Sequence, residues 1–392
     1  MKAQWFAGFF SVALVATGCN SVVEDVVAGT TGGASAAVPP PQLALTDAAA
    51  CARLHDGTVR CWGDTNLDLS HQDEHIPQPN PTVVAGLSPA AEVAAGVEWF
   101  CALVLDGTVE CWGSNASGYL GRGFESAIET TPQPVANLSG AVTLGVSPRC
   151  AVRADGSVWC WGSYASGEYG SCLHNSTSSS ATATEIPKIR GAKAVASSFT
   201  ACALRDDGTL QCWGYNKDGG VGQGTVSECE APGTTVPLTG VAQVASNNSV
   251  YALLEDGRVF AWGDNTSTPI GLGQGAPDAI TSPTQILGLP GRAIDLAVGV
   301  LSTCAVLEDH TLWCWGYDGE GEYGGGPKTA NTWIFVPKQV PGVTEIAKVA
   351  LGSGFACAVR LDGDVICWGQ NKYGQLGIGT LTPYEQPTVV KL

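Results

Sequence analysis

The sequence predicts an all-β chain folded as one seven-bladed β-propeller of four-stranded blades, and three observations carry that expectation. A Trp-Gly pair recurs at Trp62, Trp112, Trp161, Trp213, Trp262, Trp315 and Trp368, at intervals of 49 to 53 residues, and self-similarity at such a period marks propellers and other repeat architectures. Each copy holds four short runs of strand-like patterning separated by turn residues, with few helix signals. Seven such units fill residues 42–392 of a 392-residue chain, so the two or three domains that length alone suggests reduce to a single ring.

The best-defined element is a hairpin. Cys101-Ala-Leu-Val-Leu-Asp106-Gly107-Thr-Val-Glu-Cys111-Trp112-Gly113 is two apolar-alternating runs around an Asp-Gly turn. A three-residue loop with Gly107 in the left-handed conformation sets Val104 opposite Thr108 and so Cys101 opposite Cys111, within disulfide reach. A two-residue loop would pair Cys101 with Trp112 instead. In the sixth copy His310 takes the glycine's place, a conformation His tolerates better than most residues. After Trp-Gly comes a glycine-rich loop whose apolar member, eight residues past the Trp, is Leu120, Tyr169, Val221, Ile270, Tyr323 or Leu376, followed always by Gly; this reads as a buried anchor and a tight turn. A Pro-led run then follows, such as Pro81-Thr-Val-Val or Pro387-Thr-Val-Val, and an apolar run such as Glu92-Val-Ala-Ala-Gly. The first copy starts at Gln42-Leu43-Ala44-Leu45 without a Pro-led strand, and the chain ends on one. The C-terminal strand is therefore expected to pair into the N-terminal blade and close the ring.

Twelve cysteines form six pairs ten positions apart: Cys51 with Cys61, Cys101 with Cys111, Cys150 with Cys160, Cys202 with Cys212, Cys304 with Cys314 and Cys357 with Cys367. In the fifth copy both are absent, replaced by Tyr251 and Ala261, and loss in pairs argues for bonding in pairs. Close Cys-x-x-Cys spacing of the zinc-site kind is absent. Of the other three, Cys172 and Cys229 follow the glycine-rich loops of the third and fourth copies and are expected to bridge those blades.

The remaining cysteine, Cys19, belongs to the address. Residues 1–18 read as an export signal, with Lys2, an apolar run and small residues before the cysteine. Ala16-Thr17-Gly18-Cys19 resembles the lipobox of bacterial lipoproteins, which implies lipid attachment at Cys19. Asn20 in place of Asp then favours the outer membrane, with residues 19–41 as the lipidated start and flexible linker. The only membrane contact expected is this anchor. Acidic residues outnumber basic ones 36 to 19, for a net charge of −17, which disfavours nucleic acid as a partner.

The aliphatic-Ala-x-Gly strand, the Asp-Gly hairpin ending in Trp-Gly, and the loop Asn371-Lys-Tyr-Gly374-Gln375-Leu376-Gly377-Ile-Gly379 together resemble the regulator of chromosome condensation repeat family across residues 42–392. The resemblance implies a seven-bladed ring, while function lies in the loops. The founding member's role as a guanine nucleotide exchange factor needs an insertion this chain lacks. The ultraviolet-sensing plant relative's Gly-Trp-Arg-His-Thr motif is replaced by stretches such as Gly96-Val97-Glu98-Trp99-Phe100. Tight binding of another protein by one ring face, as in a secreted bacterial inhibitor of β-lactamases, is compatible with export.

The sequence carries no serine-hydrolase elbow, zinc-protease helix or phosphate loop, and neither enzymatic activity nor a cofactor or metal is expected. The first copy's loop holds Asp64, Asp68, His71, Asp73, Glu74 and His75, which reads as a degenerate solvated loop ahead of a metal site. Five Asn-x-Ser/Thr sequons, Asn115 and Asn265 among them, read as coincidental. Trp333, Ile334 and Phe335, with Trp99 and Phe100, are candidate partner contacts, since aromatic anchors favour interfaces. The expected function is a monomeric, non-enzymatic cell-envelope scaffold presenting loops to a protein or glycan; the alternatives are an inhibitor of a secreted enzyme, an exchange factor, or an enzyme with a central-channel site.

Overall fold

A computed structural model of the chain describes residues 40–64, 75–145, 149–163, 179–319, 321, 323 and 332–392. Among these, 28 strands form seven four-stranded antiparallel sheets. Each blade uses consecutive strands, from an innermost strand at the ring axis to an outer strand at the rim. Blade 1 runs through Gln42–Leu45, Ala49–Arg53, Val59–Asp64 and Pro77–Val83; blade 7 runs through Ile346–Leu351, Phe355–Arg360, Val365–Gln370 and Tyr384–Val390.

The hairpins have the predicted register. Val104 pairs with Thr108 through its N–H at 2.8 Å, Gly107 has φ 83°, and Cys101 lies opposite Cys111. Counting from the hydrogen-bonded Val104/Thr108 pair, the cysteines fall at a non-hydrogen-bonded position, where opposing Cα atoms approach most closely. All six spaced pairs are disulfides with Cα atoms 4.0 to 4.1 Å apart. His310 adopts φ 62° as expected, and its Nδ1 lies 3.0 Å from the Ile346 carbonyl oxygen. Cys229 is disulfide-bonded, and its predicted partner Cys172 lies outside the described residues.

Each Trp-Gly pair marks a break in register between the third and outer strands, from Cys61/Gly63 in blade 1 to Cys367/Gly369 in blade 7. Such a bulge turns the strand and needs a backbone that only glycine adopts freely; Gly63 has φ 99°, and a Cβ there would lie 2.4 Å from the Ala48 oxygen. The indole is thereby thrown between blades. Trp62, Trp161, Trp213, Trp262, Trp315 and Trp368 are all fully buried. Three of these indoles donate to the glycine-rich loop of the preceding blade: Trp161 to the Tyr119 oxygen at 2.9 Å, Trp262 to Gly220 at 2.8 Å, and Trp62 to Gln375 at 2.9 Å.

The loop is built to sit there. Leu120, Val221, Ile270 and Leu376 are fully buried anchors, and Tyr323 nearly so; Tyr169 lies outside the described residues. The glycines after the anchors Leu120, Val221, Ile270 and Leu376 face the next blade's indole, so that a Cβ on Gly222 would meet Trp262 at 2.8 Å and one on Gly377 would meet Trp62 at 2.8 Å. A buried asparagine holds the loop from inside. The Oδ1 of Asn115, Asn216, Asn265 and Asn371 accepts from the anchor's N–H at 3.0 to 3.1 Å, and Nδ2 donates to a carbonyl further along the loop. The sequons at Asn115 and Asn265 are thus products of the repeat's own loop, with the amide engaged at both ends.

Ring closure differs from the expectation. The C-terminal strand Tyr384–Val390 pairs with Val365–Gln370 of its own blade, and blade 1 is completed by its own outer strand Pro77–Val83. The Pro-led strand belongs with the Trp-Gly strand before it, because the bulge redirects pairing outward within the same unit. The ring instead shuts by the joint used between other blades. Trp62 bonds to Gln375, the Gly379 N–H donates to the Pro79 oxygen at 2.8 Å, and Leu45, Ala50 and Trp62 share a core with Phe355, Leu376 and Val390.

Outer-strand prolines such as Pro81, Pro132, Pro283, Pro337 and Pro387 remove an edge donor. Blade 3 has Ala183 at the corresponding place, and its N–H is taken by the Ala136 oxygen at 3.0 Å.

Two predictions follow from this anatomy. Gly222→Ala should lower unfolding free energy by about 2–4 kcal/mol, the sum of a left-handed penalty and overpacking, measured by denaturant titration. Removing one hairpin disulfide as C202A/C212A should cost at most about 2.7 kcal/mol from loop closure plus the lost burial of two sulfurs, with the remaining blades still folded by circular dichroism.

Candidate functional site

The seven innermost strands enclose an axial cavity of about 600 Å³. Apolar residues such as Val93, Leu144, Val244 and Leu296 are buried between blades, and partly exposed ones such as Leu43, Ala94, Val298 and Ala350 line the wall. One position of the innermost strand is usually polar, held by Gln42, Glu92, Thr143, Ala194, Gln243, Asp295 and Lys348 around the ring.

At four junctions this position staples one blade to the next. The Val93 N–H donates to Gln42 Oε1 at 3.0 Å; the Leu144 N–H and Thr143 hydroxyl donate to Glu92 Oε2 at 2.8 and 3.1 Å. Gln243 exchanges two bonds with the Leu296 backbone at 2.8 and 3.1 Å, and Asp295 accepts from the Val349 N–H at 3.1 Å while pairing with Lys348 at 2.9 Å. Sequence reasoning missed these residues. The available signal was a polar side chain recurring at one place in an otherwise apolar run, visible once the copies are aligned.

One mouth of the cavity is formed by the loops joining innermost to second strands. Val97, Phe199 and Val300, in blades 2, 4 and 6, stand there 48%, 49% and 44% exposed. The charged residues of the wall are Asp47 and Glu92. Burial, with the neighbouring charge of Glu98, pushes the Asp47 carboxyl up to about 6. Burial also raises Glu92, opposed by the bonds from Leu144 and Thr143 and by the field of Arg53.

The predicted contact residues divide. Trp99 and Phe100 are buried, Trp99 stacked on Tyr119 at 4.3 Å and Phe100 against Trp112 at 5.7 Å. They are core residues, because they begin the second strand where it enters the sheet, and they form no docking surface. Trp333, Ile334 and Phe335 lie in the outer strand Trp333–Gln339 of blade 6. Trp333 packs on Tyr317 at 5.1 Å and Ile334 against two core clusters, whereas Phe335 is 37% exposed at the rim. Cys19, His71, Asp68, Asp73 and Glu74 lie outside the described residues. His75 Nδ1 is 2.5 Å from Asp64 Oδ2, with its ring 4.2 Å from Tyr373 of blade 7. Among the described residues no group of three or more His, Cys, Asp or Glu is placed to hold a metal ion, and no helix is long and apolar enough to cross a membrane.

Comparison with known proteins agrees with this architecture. Two models of the regulator of chromosome condensation (RCC1) repeat match the chain, one at residues 192–219 and 346–375 and the other at 256–306 and 362–392. The mouse E3 ubiquitin-protein ligase HERC2 is 30% identical over 195 residues, 48% of this chain and 4% of that protein. The ultraviolet-B receptor UVR8 of Arabidopsis thaliana is 33% identical over 120 residues, 28% of this chain and 25% of the receptor. The chain therefore spans only a small part of the length of these relatives. Among solved structures, yeast RCC1 (Prp20) bound to Kap60 superposes with a TM-score of 0.70 at 20% identity, covering 95% of this chain and 91% of that one. Human WBSCR16 gives 0.68 at 22%, covering 82% and 87%. The chain carries RCC1 repeats and folds as an RCC1-like seven-bladed propeller.

The pH dependence of stability follows from two opposed sets of carboxylates. Asp47 and Glu92 hold a proton more tightly when folded, so their ionisation opposes folding; for Asp47 that cost is full above about pH 6 and is relieved as pH falls toward about 4. Turn aspartates such as Asp106, Asp207 and Asp309 are held below their ordinary range by hydrogen bonds from the residue two positions on. Their contribution is full above about pH 3.8 and is lost as pH falls below it. The melting temperature should rise between pH 7 and 5 and fall below about pH 3.8, and Asp47→Asn should flatten the rise.

Proposed function

We propose that this propeller is a non-enzymatic binding scaffold whose cavity-mouth face holds a protein or glycan partner in the cell envelope. Its RCC1-like fold is a protein-interaction scaffold. The observation that carries the choice of face is the trio Val97, Phe199 and Val300, apolar side chains left in solvent around one opening of the ring. Loops on a rigid scaffold are where recognition concentrates. Export and lipid attachment at Cys19 are part of this reading, supported by the lipobox resemblance of Ala16-Thr17-Gly18-Cys19, as is an outer-membrane address, supported by Asn20 after it; the scaffold is proposed to act as a monomer. The exposed Phe335 offers a second, smaller contact at the rim. The net charge of −17 argues against nucleic acid as the partner.

Affinity capture from envelope extracts with the full chain tests this reading. A partner should be retained by the wild-type chain and lost with Phe199→Asp, the variant keeping its melting temperature. Retention that is indifferent to Phe199, Val97 and Val300 would remove the mouth face from consideration, and metabolic labelling with a fatty acid that fails to mark Cys19 would remove the anchor.

A further inference from the structure

The axial cavity itself has the chemistry of a ligand site, and we propose that it binds an organic cation with an apolar body. Its volume of about 600 Å³ is that of a small-molecule pocket. The wall offers the partly exposed Leu43, Ala94, Val298 and Ala350, with Phe199 at the mouth, to an apolar body. Among the described lining residues the charges are Asp47 near the mouth and Glu92 deeper in, and Lys348, at the position in blade 7 equivalent to Glu92, is paired with Asp295 at 2.9 Å.

The two carboxylates are poorly compensated. Asp47 faces Glu98, a like charge. Both hydrogen bonds to Glu92 land on Oε2, from Leu144 and Thr143, so Oε1 is left for a donor in the cavity. Arg53, whose field reaches Glu92, directs its NH1 and NH2 groups to the Leu54 and Pro40 carbonyls. A cation entering this space offsets the desolvation of both carboxylates, which an alcohol cannot do and an anion would worsen. The ammonium or guanidinium could be that of a free amine or of a basic side chain presented by a protein. The inference rests on the cavity alone and holds whether or not the ring face docks a partner.

Calorimetric titration of the full chain with hexylammonium, 1-hexanol and hexanoate tests it. Hexylammonium should bind at least tenfold more tightly than hexanol, and hexanoate should show no binding. Glu92→Gln, which keeps an acceptor for the Leu144 N–H, and Asp47→Asn should each cut the ammonium preference at least threefold while hexanol binding holds and the melting temperature does not fall. At pH 6 binding should release a proton from the Asp47 region, seen as buffer-dependent heat, and at pH 8 it should not. Equal affinity for the ammonium and the alcohol, or a preference surviving the double substitution, overturns the proposal. A Val-Lys-Val peptide binding more tightly than hexylammonium supports it with a basic side chain as the source, and the reverse supports it with a free amine.

Discussion

The structure depends on one joint, seen among the described residues at Trp62, Trp161, Trp262 and Trp315: a glycine-rich loop of one blade laid over the buried indole of the next. Single blades could not bury their faces, and stacking neighbours is how repeat architectures make a continuous core. Here the stacking is specified chemically. The Trp-Gly bulge throws the indole out of its sheet, the following blade's approach is limited to the thickness of a glycine, and the indole N–H bonds to the loop above, as in Trp62, Trp161 and Trp262. Asparagines such as Asn216 and Asn371 keep the loop's shape independent of the joint, since each bonds within its own loop.

Most of the fold was legible in the sequence because its determinants are local and repeated. The Cys101/Cys111 register followed from turn parity, and the positive φ of His310 from its place in the turn. Closure was not legible, because a cyclic repeat can be framed at any phase. Framing the unit from the Pro-led strand leaves blade 1 short and the chain end long; framing it from the innermost strand gives seven complete blades, and only pairing across the bulge chooses between them. The burial of Trp99 and Phe100 was missed for another reason. Aromatic residues that depart from a family motif look like a surface invention, yet their position at the start of the second strand puts them under the neighbouring loop, where Trp99 stacks on Tyr119.

The site was less legible than the fold. Val97, Phe199 and Val300 are single residues in short loops with no shared motif, and only the ring brings them to one opening. The axial polar residues have a double character. Gln243 and Asp295 use both atoms of their head groups in holding neighbouring blades together, whereas Glu92 does this with one oxygen while lining the cavity. Stability and recognition thus meet at one carboxylate, which is why its conservative replacement by Gln separates the two roles.

Closure by the same joint that links other blades gives the ring no privileged origin. A propeller sealed by exchanging a strand between first and last blades has a seam unlike the rest, and its termini are fixed there. In this chain the seam at Trp62 and Gln375 is built from the same parts as the joints at Trp161 and Trp262. The outer-to-innermost linkers are therefore interchangeable entry points: circularly permuted forms that start at another blade would keep every strand pairing intact, and the architecture has a route to changing its polarity without changing its shape.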